Sequence, residues 1–436
     1  MSSAPTVPRP RRAGDLLLVF ASGCLLLLAW SFAHGALDSW LWRIAASPWR
    51  RSLAHAGLLL ADLAAAVAAL RLALWTFYRP LVADGDAPAL SVVIPAYNEG
   101  AMVARSIDSV AAADYPRDRL QIIVVDDGSR DDTWQHIEQA AQRHPQLVTA
   151  LRFTVNRGKR AALAAGFERA RGAVLVTLDS DSVIEPGALR ALAAPFADPS
   201  VGAVAGRVAV LNRHAGLIPR MLHVRYAVAF DFLRAAQSTY GAVYCCPGAL
   251  AAYRAELVRR LLPSWLSQRF LGAACTIGED RALTNDVLGA GYRTVYQRDA
   301  VVHTIAPSSY RGLCKMFLRW DRSYVREEFR LAARLPRMRT AAALIAALDL
   351  LVVNSGFVLG YAALALLPMQ ADAPILGALI IGIGLSASVN AVYFLRQELS
   401  LEFVFGIAFA YFSALAMFWI LPYALLTVRA RGWLTR

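Results

Sequence analysis

The chain has 436 residues, of which 57% are hydrophobic, so it is too apolar for an ordinary soluble enzyme. A net charge of +13 suits an anionic lipid or substrate, whereas nucleic acid is disfavoured because no basic tail or aromatic–basic RNA motif occurs. Lys and Arg flanking membrane helices explain this charge most simply. The apolar residues concentrate before residue 80 and after residue 338, which leaves a middle region typical of a soluble α/β protein.

Two apolar runs near the N-terminus predict transmembrane helices over roughly 14–34 and 54–77, within a first region of residues 1–80. The first run has about 20 residues and is longer than the apolar part of a cleaved signal peptide. A second run follows soon afterwards. Two spanning helices therefore explain the region better than a signal peptide does.

The middle region, residues 85–305, alternates short apolar runs with helical patterns. The runs at 90–96, 121–127, 148–153 and 173–179 have the length of strands, and each is followed by a polar turn. This alternation predicts a doubly wound, mainly parallel α/β sheet. Ligands of such sheets bind at the carboxyl ends of the strands, so we expect the functional residues there.

A basic amphipathic pattern follows at 308–334, with Leu313, Met316 and Phe317 at helical spacing. It predicts an interfacial helix within residues 306–336, although a helix packed on the domain would show the same pattern.

Three further apolar runs, near 340–366, 374–395 and 402–428, predict about three transmembrane helices within residues 338–430. One of them could be re-entrant. The α/β domain is therefore expected to lie between N-terminal and C-terminal membrane helices. Asp349 and Asn354 fall inside the first of these runs, where polar groups either line a path or join helices by hydrogen bonds.

Asp179 and Asp181 stand two residues apart at the end of the fourth predicted strand. Two carboxylates at this spacing can hold Mg²⁺ or Mn²⁺ against a diphosphate, because both cations prefer oxygen ligands. His303 is a candidate third ligand, although a structural histidine fits equally. Alone, the pair is also explained as an acidic surface turn.

The other strand ends carry groups suited to a nucleotide. Pro95, Tyr97 and Glu99 offer a nucleobase pocket, and Asp127 can accept hydrogen bonds from a uracil or ribose. Lys159 and Arg160 open a helix after a glycine, where a helix N-terminus and basic side chains suit a diphosphate. Taken singly, a capped turn and a solvated basic turn are the alternatives.

Asp280 begins another helical stretch, in the sequence Gly-Glu-Asp-Arg at 278–281. A carboxylate in this place can deprotonate an acceptor hydroxyl as a general base. The alternative is a charge that complements the helix dipole.

In this order, the motifs resemble those of the family 2 glycosyltransferases, inverting enzymes with a GT-A fold, over about residues 88–330. The resemblance implies that Asp127, Asp179 and Asp181 bind the nucleotide and the metal. It further implies that Asp280 is the catalytic base. A UDP-sugar donor and Mg²⁺ or Mn²⁺ are the expected substrate and cofactor.

Residues 224–254, 278–284 and 319–327 look like segments of hyaluronan synthases and nodulation chitooligosaccharide synthases. This likeness implies acceptor roles for Cys245, Arg281 and Trp320, and nucleotide contacts from Arg319 and Trp320. Processive members carry a QxxRW motif, but here Met316 stands at the glutamine position. Processivity and the product therefore stay open.

The resemblance implies a synthase that polymerises UDP-sugars into a β-linked polysaccharide, hyaluronan or another polymer containing N-acetylglucosamine, and translocates it. Its partners are the donor, the growing saccharide and membrane lipid. The protein is expected in the cell membrane with a cytoplasmic catalytic domain, where nucleotide sugars occur. The alternative is a non-processive transferase that acts on a lipid-linked acceptor.

Overall fold

The middle region contains the predicted alternation of strands and helices. The computed structural model describes residues 19–28, 30–31, 34–35, 48–82, 87–366, 373–430 and 432. The four predicted strands are confirmed to within one residue as β1 to β4. The strands are β1 (Leu90–Ala96), β2 (Leu120–Asp126), β3 (Val148–Arg152), β4 (Val174–Leu178), β5 (Ser182–Ile184), β6 (Val201–Val210), β7 (Leu250–Arg254), β8 (Arg269–Phe270), β9 (Ala273–Ala274) and β10 (Arg293–Thr304).

The described helices surround this sheet and extend beyond it at both ends of the chain. A π-helical turn, Val228–Phe232, joins α7 to α8. The helices are α1 (Val19–Leu28), α2 (Pro48–Phe77), α3 (Met102–Ala111), α4 (Thr133–Arg143), α5 (Lys159–Arg169), α6 (Ala188–Ala193), α7 (Leu217–Ala227), α8 (Leu233–Thr239), α9 (Ala255–Leu266), α10 (Glu279–Gly289), α11 (Tyr310–Arg334), α12 (Thr340–Leu366), α13 (Ala373–Gln397), α14 (Phe403–Ala416) and α15 (Ile420–Leu426).

Eight strands form one sheet in the order β3-β2-β1-β4-β7-β6-β10-β5, and β8 pairs with β9 separately. β7 is antiparallel to both neighbours and β5 is antiparallel to β10, while the other pairings in the sheet are parallel. The sheet is thus mainly parallel, as predicted. The carboxyl ends of β1, β2, β4, β6 and β10 meet at one edge, where open α/β sheets bind ligands.

Consecutive residues of the central strands point to opposite faces of the sheet, and both faces are covered by helices. On one face, Val92 and Ile94 of β1 belong to a buried cluster with Ile107 of α3. On the other face, Val93 belongs to a cluster with Phe167 of α5. Burying each of these side chains contributes about 1.5–3 kcal/mol. The resulting rigid sheet fixes the positions of the turns at its carboxyl edge.

By length and composition, two described helical stretches can cross a membrane, His55–Phe77 in α2 and Thr340–Val358 in α12. α14 and α15 are bent by 50° relative to each other and make a third span if they count as one. α13 covers the run predicted near 374–395. The predicted span at 14–34 lies partly outside the described residues, and its described part contains α1.

α11 agrees with the predicted amphipathic helix in extent but not in the environment of its basic residues. Arg322 and Arg326 are buried rather than directed at lipid headgroups. Arg322 donates to Thr427 Oγ1 after α15, at 2.9 Å, and Arg326 donates to the carbonyl of Ile277. This half of α11 therefore packs between the α/β domain and the C-terminal helices, and its placement at a membrane interface stays a prediction.

Candidate active site

The turns after β1 and β2 are tied together by hydrogen bonds. Asn98, with a φ of 53°, lies in the left-handed region and accepts from the amide of Arg130 at 2.9 Å. The amides of Glu99 and Gly100 donate to the hydroxyl of Thr133 at 2.7 and 2.9 Å. These bonds fix the wall that contains Pro95, Tyr97 and Glu99 against the turn after β2.

Asp127 follows β2 and is 3% exposed. Its two carboxylate oxygens accept the amides of Arg157 and Gly158, at 2.7 and 2.8 Å. Burial raises the pKa of Asp127, and these two amides partly offset that effect. Gly128 has a φ of +74°, and a Cβ there would lie 2.6 Å from Val155, so only glycine fits this turn. Asp127 thus holds the 156–158 turn against the cleft.

The carboxylate pair follows β4. Asp181 accepts from the hydroxyls of Ser182 and Thr304 at 3.1 and 3.2 Å. Burial and the neighbouring Asp179 raise the pKa of Asp181 to about 6. Neighbouring carboxylates repel each other when both are charged, and a cation bound between them would offset that repulsion.

His303 lies outside this pair, because neighbouring residues of β10 face opposite sides and Thr304 is the one that reaches Asp181. Its Nε2 lies 2.9 Å from Glu185 Oε1. The structure therefore does not support His303 as a third metal ligand.

Lys159, the first residue of α5, bridges Asp179, which follows β4, and Glu279 of α10. Its Nζ lies 2.6 Å from Asp179 Oδ1 and 2.8 Å from Glu279 Oε1. Burial alone would lower the pKa of Lys159, but the two carboxylates outweigh it and raise that pKa. In turn, Lys159 offsets the burial of Glu279 and lowers the pKa of that carboxyl below its ordinary value. The ammonium group of Lys159 is therefore charged and links the carboxylates of Asp179 and Glu279.

Asp280 lies in the first turn of α10. Its Oδ2 accepts the amide of Gly248 at 3.2 Å and lies 3.8 Å from Cys245 Sγ. Burial, followed by the charge of Glu279, raises the pKa of Asp280, which suits a group that must take up a proton. Gly278 begins the helix at a φ of +71°, where a Cβ would lie 1.8 Å from Ser323 Oγ of α11.

Asp127, Lys159, Asp179 and Asp181 line a cleft of about 810 Å³, within the range of small-molecule sites. α11 forms its opposite wall through Arg311, Lys315, Met316 and Arg319. The predicted residues that line the cleft are Pro95, Tyr97, Glu99, Asp127, Lys159, Asp179, Asp181 and Arg319.

Asp280 lines an adjoining cavity of about 10 Å³, roughly the room for one water molecule, which shares Pro95, Lys159 and Asp179 with the cleft. The structure thus brings most predicted residues to one place.

Arg160 does not line the cleft, which corrects its predicted nucleotide-binding role. It is 6% exposed and donates to the carbonyl of Trp265 and to Gln268 Oε1, both at 2.8 Å. Successive helical residues are turned by about 100°, so when Lys159 faces the cleft Arg160 faces away from it. Arg160 fastens α5 to the end of α9.

Replacing Arg160 with alanine should therefore lower stability rather than nucleotide affinity. We expect a loss of about 2–3 kcal/mol, because buried hydrogen bonds from a charged donor disappear. Thermal unfolding and UDP calorimetry measure the two effects. Arg157→Ala is the matched control, since that side chain lies over the Phe153 ring in the same turn. A selective loss of UDP affinity in Arg160→Ala would restore its nucleotide role.

The three residues predicted for the acceptor are not among those that line the cleft or the adjoining cavity. Cys245 is next to Asp280, and burial raises the pKa of its thiol to about 12. Arg281 pairs with Glu328 of α11, and its guanidinium stacks on Tyr324 at 4.7 Å. Trp320 packs in an aromatic cluster that also contains Tyr226, Phe230 and Phe317.

Sequence reasoning missed three residues of the site. Glu279 pairs with Lys159, the hydroxyl of Thr304 donates to Asp181, and the amide of Gly248 donates to Asp280. Only Glu279 left a signal, because it directly precedes the predicted base. The other two come from distant parts of the chain.

Comparison with known proteins bears on this site. The sequence model of the glycosyl transferase family 2 domain matches residues 91–262. An N-acetylglucosaminyltransferase of Rhizobium meliloti is 34% identical over 358 residues, which cover 80% of this chain and 82% of the relative. The chain belongs to glycosyl transferase family 2.

A hyaluronan synthase of Streptococcus pyogenes is 38% identical to this family 2 member over 263 residues, 59% of this chain. The match spans 62% of that relative's length. Among solved structures, a mannosyltransferase from Pyrobaculum calidifontis in complex with GDP-Man and Mn²⁺ superposes with a TM-score of 0.55 at 24% identity, covering 82% of this chain and 99% of the other. That likeness confirms the GT-A fold.

Proposed function

We propose that this protein is a membrane-bound, inverting glycosyltransferase that polymerises UDP-sugars into a β-linked polysaccharide and translocates it. Hyaluronan or another polymer containing N-acetylglucosamine is the proposed product. The observation that carries the proposal is the row Asp181–Asp179–Lys159–Glu279–Asp280, which links a carboxylate pair in the cleft to a buried carboxylate in the adjoining cavity. Relatives named hyaluronan synthase and N-acetylglucosaminyltransferase support it.

The proposed cofactor is Mg²⁺ or Mn²⁺, held by Asp181 and Asp179. Both residues offer carboxylate oxygens, and burial together with the charge of Asp179 raises the pKa of Asp181, so this donor set fits a hard divalent cation. When bound, the metal would stabilise the negative charge of the leaving diphosphate. Arg319, and with it Arg311 and Lys315, faces the same cleft and adds positive charge around an anionic donor.

In the proposed transfer, Asp280 accepts the proton of the acceptor hydroxyl. The hydroxyl oxygen bonds to the anomeric carbon of the donor as the bond from that carbon to the UDP oxygen breaks. A single in-line displacement inverts the centre, so an α-linked donor gives a β-linked product. Burial, and after it the charge of Glu279, which Lys159 keeps anionic, raises the pKa of Asp280 and so suits it to act as the base.

Four regions divide this work in the proposal. Residues 1–80 and 338–430 contribute about two and three membrane helices. Residues 85–305 form the cytoplasmic catalytic domain, and residues 306–336, with the Arg319–Trp320 pair, connect the cleft to the C-terminal helices. The long apolar stretches in α2 and α12 support a membrane location and contact with lipid. The proposal includes no nucleic acid partner.

The test uses the full chain purified in detergent with Mn²⁺. UDP-N-acetylglucosamine and UDP-glucuronate are supplied singly and together, UDP release is measured, and the product is sized before and after digestion by specific glycosidases. A long polymer that requires both donors identifies hyaluronan. A polymer from N-acetylglucosamine alone identifies a chitin-like product. Absence of UDP release from every donor would refute the transferase proposal.

The same experiment distinguishes a polymerising enzyme from the alternative, a non-processive transferase that acts on a lipid-linked acceptor. Met316 stands where processive members carry glutamine. Its Sδ accepts a hydrogen bond from the Tyr226 hydroxyl at 3.8 Å. A thioether accepts hydrogen bonds only weakly, so Met316 would bind a saccharide less tightly than the side-chain amide of a glutamine would. Transfer of one sugar to a lipid, without polymer, would establish a non-processive enzyme.

Trp320→Ala tests how the acceptor chain is held. We expect shorter polymer with near-normal UDP affinity, because the adjoining Arg319 lines the cleft and an indole can stack on a sugar ring. Size-exclusion analysis of the product and UDP calorimetry provide the measurements. Phe317→Leu perturbs the same aromatic cluster and serves as the packing control. Polymer of normal length from Trp320→Ala would assign Trp320 to packing alone.

A further inference from the structure

Asp349 of α12 is 5% exposed and lies within the candidate span Thr340–Val358. Its Oδ1 accepts from Arg71 Nη2 of α2 at 2.7 Å, inside the other long apolar stretch. Its Oδ2 accepts from the hydroxyl of Tyr244 at 2.9 Å and, more weakly, from that of Tyr240 at 3.5 Å. A charged pair among apolar helices is costly and commonly serves a function.

The two tyrosines do not belong to a membrane helix. They lie in the 240–248 segment, which connects α8 to β7. If Asp349 served only to join α2 to α12, Arg71 would suffice as its partner. The tyrosine hydroxyls show that the same carboxylate also holds a segment of the α/β domain.

The 240–248 segment continues directly to the base. Cys245, the residue after Tyr244, places its sulfur 3.8 Å from Asp280 Oδ2. The amide of Cys246 donates to Thr284 Oγ1 at 3.0 Å, and the amide of Gly248 donates to Asp280 Oδ2 at 3.2 Å. Only three residues therefore separate Tyr244, whose hydroxyl bonds Asp349, from Gly248, whose amide bonds Asp280.

We propose that Asp349 is a positioning residue for the transfer reaction: through Tyr244 it places the 240–248 segment so that Gly248 orients the carboxylate of Asp280. The inference rests on the proposed function, because it takes Asp280 as the base. It makes the packing of α2 against α12 part of the active-site geometry.

The Gly248 amide also lowers the pKa of Asp280 against the larger effect of burial. The other charged or titratable groups around Asp280 are Glu279 and Arg281 of α10, Lys159 of α5, Asp179 after β4, Tyr253 of β7, and Cys245 and Cys246. If the segment shifts, the amide withdraws, the charged carboxylate loses a donor and the pKa of Asp280 rises. The acidic limb of the pH–rate profile then moves to higher pH.

Tyr244→Phe removes the hydroxyl while keeping the ring. The kcat for UDP release should fall about tenfold, as expected for loss of one hydrogen bond to a charged group, while the KM for the donor stays unchanged. The acidic limb of the kcat–pH profile should move to higher pH. The matched control is Tyr361→Phe, which removes a tyrosine hydroxyl bonded to the carbonyl of Phe418 at 2.8 Å, far along α12.

Unchanged kcat and pH profile in Tyr244→Phe would overturn the inference. So would a parallel fall in kcat and thermal stability with an unmoved acidic limb, because that pattern belongs to packing alone. Asp349→Asn is a second test variant, and in its folded form it should move the acidic limb of the kcat–pH profile in the same direction. Failure of the proposed function is recognised separately, because the wild-type protein would then release no UDP.

Discussion

Asp280→Asn should reduce sugar transfer by about 10²–10⁴-fold, the usual contribution of a general base. The amide is nearly isosteric and can still accept the Gly248 amide, but it cannot take up a proton. UDP affinity should stay near normal, because Asp280 lines the small adjoining cavity rather than the larger cleft. Initial rates of UDP release and calorimetry with UDP measure the two quantities.

Asp114→Asn is a suitable control for this substitution. Asp114 has a side chain 67% exposed and pairs with Arg190 on the surface. Its variant should transfer sugar at the wild-type rate. If UDP affinity fell together with activity in Asp280→Asn, the residue would belong to the nucleotide site and the base would have to be sought elsewhere.

Asp181→Asn should remove most metal-dependent activity, by about 10²-fold or more, because a metal that stabilises a leaving diphosphate contributes several kcal/mol. Loss of Mn²⁺ binding can be followed by electron paramagnetic resonance independently of turnover. Glu185→Gln is the matched control, because that carboxylate lies nearby in sequence but pairs with His303 outside the cleft. Full activity of Asp181→Asn, or of the wild type in excess chelator, would contradict the metal assignment.

The raised pKa of Asp181 also predicts a pH dependence. With a pKa of about 6, this carboxyl becomes protonated as the pH falls through 6, and a proton then competes with the cation. Metal affinity should decrease about tenfold between pH 7 and pH 5. Titrating Mn²⁺ at several pH values tests this directly. Affinity that is independent of pH between 5 and 7 would mean that Asp181 is not a ligand.

The sequence was most informative about the strands at the centre of the sheet. β1, β2 and β4 are buried on both faces, so each appears as an unbroken apolar run that ends at a polar turn. β6 and β7 were not predicted. β6 is interrupted by Gly202 and Gly206, and β7 is a short run that enters the sheet antiparallel to its neighbours, a pairing between distant residues that no local pattern reports.

In the candidate site, the residues that follow strands were predicted better than the residues on helices. Residues directly after a strand, such as Asp127 and Asp179, reach the predicted edge because the strand fixes their position. Side chains on helices depend on the rotation of the helix, which sequence reasoning did not determine. Lys159 and Arg319 therefore face the cleft, while their immediate neighbours, Arg160 and Trp320, are turned into packed clusters.

α11 supplies one wall of the cleft and is itself attached to the last helices of the chain, since Tyr310 donates to the carbonyl of Ala416 at 2.6 Å. The segment that defines the family, residues 91–262, contains neither that wall nor Asp280. A fragment trimmed to that segment would lack one wall of the cleft, and inhibitor screens performed on it would miss every compound that contacts both walls. Screening and crystallisation are therefore best carried out on the intact chain in nanodiscs.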